Sequence, residues 1–312
     1  GIQIVKWLES TLANTEQSTF DQMSGDLIIG LGNPKAINVG QRATSSKEDL
    51  NRCFLMKNNF EDNIQNEKHF SYEKKRSLQI RPILEETDIL LDLHATNKPS
   101  PPFIRIAGET FSKEHERVVS YFSNVNILLR DIHYTIGNGV ISTTDEFVQN
   151  NNGIGICYEV GQADDLECLN IVKNEVRCFL KSELNLIIPD NDANNVQFEP
   201  LSFDNLETYE MVEPINLAPG HSFEWAKQTT RNDYGGGDMN TAMETDGISD
   251  AYVGGKNFEY ISANQDIGYM LSMDNNSTTT ISCPFDSYLV FPKVNYLMIE
   301  GKPLVWLCKK MS

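Results

Sequence analysis

The sequence predicts an α/β protein in which helices flank a mixed sheet, followed by a smaller β-rich domain. In the first part of the chain, short apolar runs alternate with segments of helical spacing. A polar segment at residues 189–195 interrupts this pattern. Beyond it, short strand patterns are separated by turns rich in Gly, Asn and Asp. We therefore expect one domain over residues 1–190 and a second over residues 196–312.

The predicted elements of the first domain follow in order. Val5, Leu8 and Leu12 share one face of an N-terminal helix. Apolar runs predict strands at residues 26–31, 89–94, 103–107, 126–130 and 155–160, and helical spacing predicts helices at residues 72–86 and 109–122 and from the N-cap Asp164 onward. Strands that alternate with helices in this way form a parallel or mixed sheet covered on both faces.

Five further strand patterns predict the β-rich domain. They cover residues 207–213, 258–262, 279–283, 287–291 and 303–308. Their short length and the turn residues between them are typical of an antiparallel arrangement.

Charge and cysteine content restrict the classes of partner. The formal net charge of −18 disfavours binding to a nucleic-acid backbone or to an anionic membrane surface. No apolar run approaches the roughly 20 residues that cross a bilayer. The six cysteines lack CxxC spacing, so we expect reduced thiols in a cytoplasmic protein. The sequence leaves open whether a signal peptide precedes Gly1.

The strand that ends at His94 gives the first functional hypothesis. Its apolar run is interrupted once, by Asp92, and the imidazole follows where the chain turns polar. Ligands of open α/β sheets bind at the carboxyl ends of strands, and imidazole both coordinates metals and titrates near neutrality. His94 is therefore a candidate metal ligand or acid–base group. The alternative is a strand-end histidine satisfied by hydrogen bonds.

Three other polar clusters are candidates for the same site. Arg42 follows a turn, and Asn51 and Arg52 lie side by side in a polar segment. An arginine beside an asparagine can hold a carboxylate, while a partly buried carboxylate such as Glu159, at a strand end, can act as a general base. The alternatives are a surface salt bridge, a loop-stabilising network and a helix-capping carboxylate.

Six segments in a fixed order carry a family resemblance. They are Gly1-Ile2-Gln3-Ile4-Val5, Asn33-Pro34-Lys35-Ala36, Asp49-Leu50-Asn51-Arg52, Asp92-Leu93-His94, Glu159-Val160-Gly161 and Tyr288-Leu289-Val290-Phe291-Pro292. This order resembles the succinylglutamate desuccinylase and aspartoacylase family, relatives of the zinc carboxypeptidases. The resemblance covers nearly the whole chain and implies a zinc-carboxypeptidase-like mixed sheet flanked by helices, with a smaller β-rich C-terminal domain.

The resemblance also implies a Zn2+-dependent hydrolase that cleaves the amide bond of an N-acyl amino acid. His94 would be one zinc ligand, and Glu159 would be the base that deprotonates water and later protonates the leaving amine. Arg42 would polarise the scissile carbonyl, and Asn51 and Arg52 would hold a substrate carboxylate. The partner implied is a small-molecule substrate, and homo-oligomer formation stays open.

The sequence departs from the family pattern at the metal ligands. The family's other two ligands, a His and a Glu three residues later, would precede Gly1. Another pair with this spacing, His221 and Glu224, lies in the β-rich part without the flanking family motif, so we do not expect it to bind metal.

A second departure concerns the substrate. Alignment of Thr143-Thr144 with the family's Thr-Thr pair places Asp145 where aspartoacylases have an arginine. This charge reversal would favour a substrate amine over a second carboxylate. Tyr296 is expected to contact substrate from the β-rich domain. Two other functions stay open: a metal-free module that binds acylated amino acids, and a carboxypeptidase that acts on short peptides.

Overall fold

A computed structural model describes residues 1–44, 48–54, 70–163, 166–188, 200–228 and 252–311. The predicted linker at residues 189–195 and the predicted N-cap Asp164 lie outside the described residues. The chain divides into two compact units. The first comprises Gly1–Ala95, Pro101–Met211 and Met311–Ser312, and the second comprises Thr96–Ser100 and Val212–Lys310.

The first unit is an α/β structure built on a mixed sheet. Its helices are α1 Ile2–Ala13, α2 Gln17–Phe20, α3 Pro34–Asn38, α4 Tyr72–Glu85, α5 Lys113–Val119, α6 Thr144–Asn150 and α7 Leu166–Leu184, and its strands are β1 Ile89–Thr96, β2 Phe103–Ala107, β3 Ile127–Asp131, β4 Ile154–Gln162 and the first part of β5 Glu207–Asn216. The strand order is β1-β4-β2-β3-β5. Strand β3 pairs in parallel with β2 and β5, whereas β2 and β4 are antiparallel, so the predicted mixed sheet is confirmed.

Alternation along β2 places helices on both faces of this sheet. Ile104 and Ile106 are fully buried in an apolar cluster with residues of α1, α5 and α7. Arg105 points to the opposite face, because successive strand residues alternate, and it contacts the first turn of α6. Helix α6 begins at a capping box in which Thr143 and Glu146 satisfy each other's backbone N–H groups. Arg105 of the sheet and the capping box of the helix together fix the first turn of α6.

The second unit is β-rich, as predicted. It contains the end of β5 together with β6 His221–Trp225, β7 Glu259–Ile261, β8 Asp266–Ser272, β9 Thr278–Ser282, β10 Ser287–Val290 and β11 Pro303–Lys310. Strands β6, β8 and β9 form an antiparallel sheet, and β10 pairs antiparallel with β7 and β11. Within the described parts of the chain, no helix combines the length and apolarity that a bilayer span requires.

Two predicted elements differ from the structure. The strand predicted at residues 26–31 is wrong, because this segment is extended without strand pairing. Leu27 and Ile29 pack against the apolar core, whereas Ile28 between them is 66% exposed. The apolar residues of this segment therefore pack on the core although the segment pairs with no strand. The helix predicted at 109–122 is confined to α5, which begins after the N-cap Ser112.

The boundary between the units also falls later than the composition suggested. Residues 200–211 belong to the first unit because they pack along it. The Leu201 N–H donates to the Ser120 carbonyl, and the Glu207 N–H donates to the Asn126 carbonyl. These bonds extend the first unit through the start of β5.

Candidate active site

Strand β1 presents Asp92 and His94 on the same face, since residues two apart on a strand point to the same side. His94 Nε2 lies 2.9 Å from Asp92 Oδ2. Both side chains are about one-quarter exposed. The carboxylate therefore orients the ring through Nε2, and this contact does not use Nδ1.

A short 3-10 turn, Leu50–Arg52, brings Asn51 to this pair. The Asp49 side chain begins the turn by accepting the Asn51 N–H at 3.1 Å. The Asn51 Nδ2 atom lies 3.4 Å from His94 Nε2. The predicted neighbours His94 and Asn51, 43 residues apart in sequence, are thus brought together.

Thr144, the first residue of α6, joins these groups. Its hydroxyl donates to Asp92 Oδ2 at 2.5 Å, and its backbone N–H donates to Asn51 Oδ1 at 2.9 Å. Asp92 Oδ2 therefore contacts both the Thr144 hydroxyl and His94 Nε2. The amide nitrogen of Asn51 lies on the side of His94. These four residues are called the Asp92 network below.

Charges in the network shift the pKa values of its members. Burial lowers the pKa of His94, but the adjacent Asp92 carboxylate outweighs burial and raises it to about 9. Burial raises the pKa of Asp92, while His94 and the Thr144 hydroxyl together hold it below its usual value. The pair is therefore a charge-assisted hydrogen bond, which is stronger than a neutral one.

Arg42 and Arg52 flank the turn. Nε and Nη2 of Arg42 both contact Asp49 Oδ2 at 2.8 Å, so this ion pair does not use Nη1. The Arg42 side chain is 56% exposed. Arg52 donates to the carbonyl of Asn51. Burial lowers the pKa of Arg52, whereas Asp49 outweighs burial and raises the pKa of Arg42.

Glu159 lies on β4, the strand next to β1 in the sheet. Its side chain is buried, and among the described residues its Oε2 atom has no hydrogen-bond partner. Burial raises the pKa of this carboxyl, although the charges of His94 and Arg42 oppose the shift. A buried carboxylate with an unpartnered oxygen and a raised pKa has the properties of a general base near neutral pH.

Asp145, the predicted substrate-binding carboxylate, is buried in an ion cluster. Arg105 donates from Nη1 to Asp145 Oδ2 at 2.7 Å and from Nη2 to Asp131 Oδ2 at 2.8 Å, and it also contacts Glu146. The other oxygen of Asp145 has no partner within the described segments. Burial raises the pKa of Asp145. The structure gives Asp145 an internal partner, and its contact with a substrate amine stays a prediction.

Two other predicted positions lie in the second unit. Tyr296, in the 3-10 turn Asn295–Leu297, is 83% exposed. Its predicted substrate contact stays a prediction. His221 and Glu224 both lie on β6, where residues three apart point to opposite faces, so the two side chains do not converge as metal ligands.

Gly1 lies beside the Asp92 network. A Cβ atom built on Gly1 would be 2.5 Å from the carbonyl oxygen of Leu93. Burial lowers the pKa of its amino group, and the charges of Asp92 and Glu159 oppose this shift. The start of α1 therefore packs against the end of β1.

The side chains present supply part of a zinc site. Zinc-binding histidines commonly donate their second ring nitrogen to a carboxylate, as His94 does to Asp92, so His94 fits the role of one ligand. In the described ranges, no three His, Cys, Asp or Glu side chains form a group that could hold a metal ion. The described residues thus do not complete a zinc site.

Comparison with protein families shows the family of the chain. The family model of the succinylglutamate desuccinylase/aspartoacylase catalytic domain matches residues 5–183, more than half of the chain. The chain belongs to this family. Its members are deacylases that act on small acylated amino acids and are generally zinc-dependent. The match contains Arg42, Asn51, His94 and Glu159. No curated protein sequence matches the chain.

Solved structures show the same fold. Murine aminoacylase 3 has a TM-score of 0.60 and 14% identity, covering 100% of this chain and 90% of that one. A succinylglutamate desuccinylase/aspartoacylase from Rhodobacter sphaeroides has a TM-score of 0.59 and 14% identity over 99% and 82% of the two chains. The ectoine utilization protein EutE from Ruegeria pomeroyi, in a product-bound structure, has a TM-score of 0.59 and 12% identity over 98% and 80%. At these identities the similarity concerns the fold.

Two residues with structural roles around the site, Thr144 and Arg105, are not among the candidates that the sequence predicts. Thr144 was placed only by alignment, and nothing in its local sequence indicates that it contacts Asp92 and Asn51. Arg105 has a detectable signal, since a charge in the otherwise apolar run Phe103–Ala107 of a buried strand requires ionic partners. Those partners were not identifiable before the fold was known.

Proposed function

We propose that the protein hydrolyses N-acyl amino acids, releasing a carboxylate and an amine. One observation carries the proposal: the buried, unpartnered Glu159 oxygen lies on the strand next to the one that presents His94 and Asp92. A base, an oriented imidazole and cationic donors are the groups that water-mediated amide hydrolysis needs. Membership of a deacylase family supports this reading.

Each residue has a role in this reaction. Glu159 takes the proton of the attacking water as the water oxygen bonds to the amide carbon. It then transfers that proton to the amide nitrogen, so that the C–N bond breaks as the carbonyl re-forms. Arg42 donates from Nη1 to the carbonyl oxygen as negative charge develops there. The Asn51 amide nitrogen and Arg52 bind the substrate carboxylate, which fixes the amide near the base.

Zn2+ is the proposed cofactor, with His94 as one ligand. When bound, zinc would supply Lewis-acid polarisation and a water of lowered pKa. The described residues do not supply the rest of its ligand set.

A substrate panel with a matched variant tests the proposal. Protein expressed from the complete gene is assayed with N-acetylaspartate, N-succinylglutamate, N-acetylated neutral and basic amino acids, and short peptides. Glu159→Gln keeps the side-chain shape and removes the base, so we expect kcat to fall by about 10²- to 10⁴-fold with KM little changed. Zinc content is measured on the same samples.

The outcomes separate the three candidate functions. Turnover of acyl amino acids that depends on Glu159 supports the deacylase, and faster turnover of peptides supports the carboxypeptidase. Stoichiometric binding of acyl amino acids, with no turnover and no bound zinc, would support the metal-free binding module. Best turnover on N-acetylaspartate would contradict the preference for a substrate amine predicted from Asp145.

A further inference from the structure

We propose that Thr144 is a positioning residue of the candidate active site. Its side chain holds Asp92 against His94, and its backbone N–H holds the Asn51 amide with the nitrogen toward the site. The inference rests on the proposed function for the roles of Asn51 and His94. It adds that Thr144 fixes the orientation of both the Asp92–His94 pair and the Asn51 amide.

The hydroxyl acts on the Asp92–His94 pair. Asp92 Oδ2 accepts from Thr144 Oγ1 at 2.5 Å and lies 2.9 Å from His94 Nε2. Two donors converging on one oxygen restrict rotation of the carboxylate. The Asp92 side chain is 25% exposed, so without the hydroxyl a water molecule would take this place and the restraint would weaken.

The backbone N–H acts on Asn51. An amide side chain has an accepting end and a donating end, and the Thr144 N–H can bond only to the accepting end. Its 2.9 Å bond to Asn51 Oδ1 therefore fixes the amide with Nδ2 on the side of His94. Because His94 Nε2 donates its proton to Asp92, Nδ2 at 3.4 Å keeps its own protons for a substrate carboxylate.

The position of Thr144 is itself set from the sheet. The next two residues, Asp145 and Glu146, both bond to Arg105 of β2, and both side chains are fully buried. Glu146 also accepts the backbone N–H groups of Ser142 and Thr143, which closes the turn before α6. The first residue of the helix is thereby held from both sides.

Two substitutions isolate the hydroxyl. Thr144→Val keeps the shape and the backbone N–H but lacks the hydroxyl, whereas Thr144→Ser keeps the hydroxyl. Thr144→Ala removes the hydroxyl with less bulk and replaces the Val variant if that variant does not fold. Thr87→Val is the matched control, because the Thr87 hydroxyl donates only to the Ile83 carbonyl at the end of α4.

The first measurement needs neither metal nor activity. In protein labelled with 15N-histidine and freed of metal by chelation, the five histidines give separate imidazole signals, and His94 is assigned by the signal lost in His94→Gln. We expect the Nε2–H signal of His94 to shift or broaden in Thr144→Val and Thr144→Ala, and to be retained in Thr144→Ser and Thr87→Val.

The second measurement is steady-state kinetics on the best substrate. We expect kcat/KM to fall by about 10- to 100-fold in Thr144→Val, the range for a lost hydrogen bond to a charged group, and to be largely restored in Thr144→Ser. An unchanged His94 signal in the Val and Ala variants would overturn the inference. If the wild-type protein hydrolyses no N-acyl amino acid, the proposed function fails, while the His94 signal still decides the role of Thr144.

Discussion

Asp92 and His94 form an ion pair within a single strand, with 2.9 Å between Oδ2 and Nε2. Since residues two apart on a strand share a face, the pairing follows from local geometry as soon as β1 forms. The rest of the site is assembled around this pair by residues distant in sequence.

The first prediction concerns substrate affinity. Asn51→Asp keeps an acceptor for the Thr144 N–H and replaces the donating amide nitrogen with a carboxylate oxygen. Repulsion of the substrate carboxylate should raise KM by at least about tenfold, with a smaller effect on kcat. The control is an N-acyl amine that lacks the carboxylate, for which wild type and variant should have similar KM values. An equal rise in KM for both substrates would contradict a role in carboxylate binding.

The second prediction concerns the Arg105 cluster. Arg105→Met would leave Asp131, Asp145 and Glu146 buried without their cation, so the free energy of unfolding should fall by about 3–5 kcal/mol. Urea unfolding measures the loss. Arg117→Met removes an arginine that is 43% exposed and pairs with Glu114 and Glu183, and it should cost less than about 1 kcal/mol. Similar losses in the two variants would refute the prediction.

The third prediction concerns pH and the buried Glu175. Its Oε2 accepts the Tyr158 hydroxyl at 2.5 Å, and its Oε1 accepts the Asn124 N–H at 2.9 Å. Burial raises the pKa of Glu175 above its usual 4.5, so the folded state binds a proton that the unfolded state has released. The stability that this group contributes is therefore complete at low pH and is lost as pH rises through the folded-state pKa.

Glu175→Gln resembles the protonated carboxyl and should remove this pH dependence. We expect the wild-type free energy of unfolding, measured relative to the variant, to decrease as pH rises above about 4.5 and then to level off. Urea titrations at a series of pH values give both curves. Curves that stay parallel over this range would show that Glu175 has no raised pKa.

The fourth prediction concerns the close approach of β4 to α6. A Cβ on Gly155 would lie 2.0 Å from the Asp145 carbonyl oxygen, so Gly155→Ala must displace the first turn of α6. We expect a loss of at least about 1–3 kcal/mol in unfolding free energy and the same change in the His94 signal as in Thr144→Val. Gly30→Ala is the control, because nothing lies within 4 Å of its Cβ position. An intact His94 signal in Gly155→Ala would contradict this link.

The strands of the first unit were largely predictable from the sequence. Predicted residues 103–107 coincide with β2, and the patterns for β3 and β4 agree within two residues at each end, because buried strands in this sheet are continuous apolar runs. Strands β6 and β8 were missed. Polar His221, Ser222 and Glu224 interrupt β6, so no apolar run marks it. Strand β8 does carry a run of non-polar residues, at residues 267–271, and its signal was detectable.

Candidate site residues can be named from motifs, but the contacts between them cannot be predicted from the sequence. His94 and Asn51 were identified from motifs, and the structure brings them together. Thr144 lies 93 residues from Asn51, and Arg105 lies 40 residues from Asp145. Contacts at such separations depend on the packing of α6 against the sheet, which local patterns do not encode.

The position of Gly1 has a practical consequence. Its backbone lies against Leu93, one residue before His94. Any side chain at residue 1 would bring its Cβ within 2.5 Å of the Leu93 carbonyl oxygen, so a substitution there must displace the end of β1. Every variant in which the His94 signal is compared should therefore keep glycine at this position.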